Sequence, residues 1–120
     1  MFQTRVGLWM LRCFTPEIAE DKVERNHRFL EEALELVKSI GCTASEAHKR
    51  VDYVYGRDVG DPTQEVGGVM VTLAALCLAN EMSMDTCGYT ELNRINDPET
   101  VLKIRAKQAA KPKHSPLPQD

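Results

Sequence analysis

Apolar positions recur at helical spacing along most of the chain, and no strand-like alternation lasts longer than four residues. The pattern predicts a first short helix over about Gln3–Phe14. Thr15-Pro16 is a start signal, with Thr15 as N-cap and Pro16 in the first turn, for a long helix that runs to about Ile40 and stops at Gly41. Thr43 with Glu46 three residues later forms a capping box that opens a helix reaching about Tyr55. The stretch YGRDVGDP is a loop. Asp61-Pro62 then starts a fourth helix that reaches about Met82. Two more helices follow, Asp85–Ile95 and, opened by Asp97-Pro98, one to about Ala110. An all-α helical bundle is expected, with the two long helices, 16–40 and 62–82, at its centre carrying most of the packing. One domain over 1–110 is expected, followed by a polar, Pro-rich tail, 111–120, predicted to be disordered.

The fourth helix poses a problem. QEVGGVMVTLAALCLAN is apolar all round, which is the mark of a buried helix. It nevertheless starts with a carboxylate, Glu65, and two glycines, Gly67 and Gly68, each costing about 1 kcal/mol relative to Ala inside a helix. A carboxylate on a buried helix needs a partner, because an isolated buried charge is very costly. One possible partner is the N-terminus of its own helix, about one turn away. The other is a cation shared with further carboxylates.

Such carboxylates lie in FLEEALEL. At about 100° per residue, Glu31 and Glu35 are about 40° apart and Glu32 and Glu35 about 60° apart, on the side opposite Phe29, Leu30, Ala33, Leu34, Leu36 and Val37. Arg28 and Lys38 flank them at ion-pair spacing, so a solvated, salt-bridged face is the alternative explanation. Carboxylates converging from two helices suit a hard divalent ion such as Mg²⁺, which takes oxygen ligands in octahedral geometry.

Glu31-Glu32-Ala33-Leu34-Glu35 followed by Glu65-Val66-Gly67-Gly68 resembles the E-E-x-x-E and E-x-x-D metal motif of the MazG-like all-α nucleoside triphosphate pyrophosphohydrolases, with their dimeric dUTPase and phosphoribosyl-ATP pyrophosphohydrolase relatives. The resemblance spans roughly residues 3 to 107 and includes the helix order. It departs from the family at Gly68, where the motif has Asp, and in a 29-residue gap between the half-motifs that is long for the family. The resemblance implies a Mg²⁺-dependent hydrolysis of an NTP or dNTP to the monophosphate and pyrophosphate. It implies Glu31, Glu32, Glu35 and Glu65 as metal ligands, with Glu31 as a further ligand or as the residue that orients the attacking water. It also implies a homodimer or higher homo-oligomer. The alternative is a catalytically silent protein of the same fold that binds a nucleotide or a protein partner. The two glycines then have two readings: an incomplete but working metal site with bare backbone beside it, or a decayed site where another helix approaches closely.

Candidate substrate contacts are Trp9 and Arg28 and, where the resemblance implies a basic residue near the end of the fold that approaches the phosphates, Lys103 or Lys107, the alternative for these two being a solvated helix end. Trp9 is the single tryptophan, suited to stacking on a base but more often a core or interface residue. Arg25, Asn26 and His27 precede the glutamates by one to two turns. The net charge of −3 argues against specific nucleic-acid binding. The 120 residues, 42% hydrophobic and 28% charged, make an ordinary globular mixture with a small core, for which dimerisation would help. No apolar run approaches the ~20 residues of a membrane span and the start does not read as a signal peptide, so no membrane and a cytoplasmic location are expected. Cys13, Cys42, Cys77 and Cys87 form no metal-ligand spacing and are expected to be reduced, mostly buried thiols.

Overall fold

The computed structural model describes residues 1–110, and over them the protein is all-α. The elements are α1 (Phe2–Cys13), α2 (Pro16–Ala19), α3 (Lys22–Ser39), α4 (Ala44–Tyr55), α5 (Pro62–Ala79), α6 (Met84–Ile95) and α7 (Pro98–Ala110). The tail, 111–120, lies outside the described residues.

Local chemistry explains the boundaries. Thr43 and Glu46 close a reciprocal capping box: the Glu46 amide donates to Thr43 Oγ1 at 3.1 Å and the Thr43 amide to Glu46 Oε1 at 2.9 Å. Asp61 accepts from the Gln64 amide at 3.0 Å, with Pro62 behind it in the first turn. At the end of α3, Gly41 takes φ 100°, a left-handed conformation natural to glycine, and the Cys42 amide turns back to the Val37 carbonyl at 2.9 Å.

The expected single helix over 16–40 is instead two. Asp21 accepts from the amides of both Val23 and Glu24 at 3.1 Å, so the chain stops after one turn of α2 and restarts as α3. The signal lies in Asp21-Lys22-Val23-Glu24, a cap residue with a glutamate three positions on, but no Gly or Pro marks the break.

The centre of packing also differs from the expectation. It is where α1, α6 and α7 meet, around Cys13, Leu92 and Val101, each at most 4% exposed. Trp9 donates its indole N–H to the Ile95 carbonyl at 3.1 Å and meets Phe14 edge-on at 5.8 Å between centroids. Phe2 packs edge-on against Tyr89 at 5.1 Å and covers Gly88 so closely that a Cβ there would lie 3.2 Å from its ring. Helix α5 touches α6 and buries only Cys77, while Val71 is 70% and Leu78 79% exposed. An all-round apolar helix needs cover on every side, and one neighbouring helix covers one side. Helix α5 is moreover 18 residues long with a mean hydropathy of 1.3, long and apolar enough by length and composition alone to cross a membrane, although its uncharged stretch covers only residues 66–79.

Candidate functional site

Helix α3 carries its charges in two stripes. On one, Arg28 ties two glutamates together: its Nε donates to Glu24 Oε1 at 2.8 Å and its Nη1 to Glu31 Oε2 at 2.9 Å. Glu24 is 8% exposed, and Arg25 stands 3.8 Å from the same oxygen. A buried carboxylate is tolerable because two guanidinium groups share it. Sequence reading passed over Glu24, although its i,i+4 spacing to Arg28 is visible in the chain. Arg28, a substrate-contact candidate, is therefore engaged within α3. The second oxygen of Glu31, Oε1, is buried without a partner, as are Arg25 Nε and His27 Nδ1.

Glu32 and Glu35 lie apart from that pairing, and a cavity of about 970 Å³ stands between α3 and α5, with α1 and α6 closing its sides. Phe29 and Leu36 line it from α3, and Glu65, Val66, Met70 and Leu73 from α5. Glu32 stands at the border of the acidic arc, about 40° from Leu36 around α3, and none of the three α3 glutamates is in the lining. The Glu65 side chain lies over the loop before α5, where a Cβ on Gly60 would sit 3.3 Å from its carboxyl carbon. Glu32, Glu35 and Glu65 are exposed and hold no hydrogen bond or ion pair among the described residues.

On α3, Glu31 keeps one buried oxygen without a partner, and Glu32 and Glu35 pair with no cation among the described residues. Glu65 is not grouped with them. Among the described residues no three His, Cys, Asp or Glu side chains stand together closely enough to hold one ion. Gly68, at the position of the family's Asp, has open space where a side chain would begin, with nothing within 4 Å of a Cβ.

Trp9 is engaged in the core between α1 and α6. Lys103 and Lys107 are exposed on α7. Between them, Arg105 donates its Nε to the Arg12 carbonyl at 2.5 Å, and both arginines edge a cleft of about 380 Å³ over Cys13. Arg12 also reaches Asn96, donating to its carbonyl at 3.1 Å and to its side-chain oxygen. The crossing of α1 and α7 distinguishes Arg105 from the lysines on either side of it. Burial raises the Cys13 thiol above the ordinary cysteine range, and the Arg105 and Arg12 charges partly offset this.

The chain matches no family model, no curated protein and no solved structure.

Proposed function

We propose that this protein is a Mg²⁺-dependent nucleotide pyrophosphohydrolase of MazG-like type, converting an NTP or dNTP to the monophosphate and pyrophosphate, and that it acts as a homo-oligomer. The observation that carries the reading is the cavity between α3 and α5, of a size that suits a nucleotide, walled by Phe29 and Met70 and with the carboxylate of Glu65 in its lining. An apolar wall takes a base and the carboxylates take the phosphate end. This reading assigns Glu31, Glu32, Glu35 and Glu65 to the ion, which would supply charge neutralisation on the phosphates, and it requires them to converge from their separate places on α3 and α5 when the ion binds. Arg28 keeps one oxygen of Glu31 occupied and so orients the other, Oε1, for a ligand or for the attacking water. The walls of the cavity exclude water from the base and leave the phosphates at the polar edge.

A second reading, a catalytically silent helical protein that binds a nucleotide or a protein partner, is favoured by Gly68 in place of an acid and by the separation of Glu65 from the α3 set. Pyrophosphate release from a panel of NTPs and dNTPs, with and without Mg²⁺, separates the two. The hydrolase reading expects Mg²⁺-dependent release from at least one nucleotide, abolished by Glu35→Gln and by Glu65→Gln. Turnover by either variant at the parent rate removes that residue from the ligand set. A panel without release above blank leaves the binding role.

A further inference from the structure

We propose that the outward face of α5 receives a second copy of this chain, helix against helix, close to Gly68. This gives the oligomer of the preceding reading a surface, and it stands whether or not the protein hydrolyses nucleotides. Helix α5 has two sides. Cys77 and Leu73 point toward α6 and the cavity, whereas Gly68, Thr72, Ala75 and Ala79 fall within about 40° of one line on the opposite side. Val71 and Leu78 flank that line and are 70% and 79% exposed.

The surface of the whole molecule calls for such cover. A folded monomer of 13.5 kDa exposes about 6,500 Å², and this one exposes 9862 Å². Allowing about 1,600 Å² for residues 111–120, the most an unfolded segment of that length contributes, about 8,300 Å² remains against about 6,100 Å² for the other 110 residues. The excess of about 2,200 Å², summed over the whole molecule, lies within the roughly 1,000–2,500 Å² that each partner of an obligate homodimer buries.

The chemistry of the face selects the partner. From Val66 to Ala79 there is no charge, so what covers it is apolar, and α5 itself is the most apolar helix of the chain. Its polar atom is already spoken for: the Thr72 hydroxyl donates to the Gly68 carbonyl at 2.8 Å, so burial strands no donor. Open space at Gly67 and Gly68 lets a second backbone come close. A bilayer fits less well, because Glu65 leaves 14 apolar-side residues, about 21 Å of helix against a core of about 30 Å. The ten residues after Ala110 offer one leucine among Lys, His, Pro, Gln and Asp.

Sedimentation of the full chain tests the proposal, beside Val71→Lys and Leu78→Lys, whose side chains meet solvent in a single copy. The unmodified chain is expected at twice 13.5 kDa and each variant at half the mass of the parent. Hydrogen exchange on the unmodified chain keeps the test independent of how the variants fold. Amides of 66–79 are expected to exchange about tenfold more slowly on going from about 1 to about 100 µM. A single-copy mass at the higher concentration, a doubled mass kept by both variants, protection confined to another helix, or retention of α5 by phosphatidylcholine vesicles would each overturn it. Nucleotide turnover is not read in any of these measurements.

Discussion

The indole N–H of Trp9 reaches the main-chain carbonyl of Ile95 across the junction of α1 and α6, 3.1 Å away. That bond joins residues 86 positions apart in the chain and so closes the fold onto itself. Trp9→Phe keeps an aromatic ring against Phe14 but leaves the carbonyl without its donor. The expected loss is about 1–2 kcal/mol of unfolding free energy, read from the urea midpoint. An unchanged midpoint would show that the carbonyl is served by water instead.

Gly68→Asp separates the explanations of the glycine pair. A Cβ at this position meets nothing, so a single copy tolerates the side chain and gains a few tenths of a kcal/mol in helix propensity. Between two copies the same carboxylate would sit in a close apolar contact. The expected outcome is a lower mass in sedimentation with Mg²⁺ binding unchanged by calorimetry. Tighter Mg²⁺ binding with association intact would instead make position 68 the place of a missing ligand beside the four glutamates.

Acid should act on α4 through its cap. The Thr43 amide donates into the Glu46 carboxylate, the Thr43 hydroxyl adds a second bond and Arg50 a favourable charge, and together they hold Glu46 below the usual glutamate range. A carboxyl lowered by folding contributes stability above its unfolded value and loses it as pH falls through the folded value. Amide shifts of residues 44–47 followed by NMR from neutral to acid pH should show that loss in the parent. Glu46→Gln, which has no titrating group there, should flatten the dependence, and an equally steep acid limb in the variant would assign it to another carboxylate.

The cysteines should label in order of burial. Cys87 is exposed, whereas Cys13 is 4% exposed with its thiol raised by burial. With iodoacetamide near pH 8, mass spectrometry should find Cys87 modified first and Cys13 last, since the thiolate is the reacting form. Early modification at Cys13 would mean that the arginine pair outweighs burial.

What could be read from the chain was whatever its own neighbours decide. Thr15, Thr43, Asp61 and the glycine at 41 mark helix ends by bonds made within a few residues, and these stand where expected. Asp21 acts by the same means, but without Gly or Pro beside it the break at 20–21 merges into the surrounding apolar period. The spacing of Glu31, Glu32 and Glu35 likewise follows from one helix alone. Where Glu65 comes to lie does not, because it depends on how α5 settles against the rest. A helix apolar on every side shows that it wants cover but not from which direction, so its exposure in a single copy has no sequence signal. Arg28 illustrates the same limit on a smaller scale: Glu24, Glu31 and Glu32 all stand at pairing distance, and the fold uses the first two.

Helix α4 buries none of its residues, and its ends are set by its own capping box and by Gly56. A segment held mainly by its own backbone bonds opens and closes on its own account, well below the free energy that unfolds the junction of α1, α6 and α7. The chain therefore has two tiers of durability. Among the described residues a protease would find its first cut in the span from Tyr55 to Asp61, while Trp9, Arg12 and Arg105 would still tie α1 to α6 and α7.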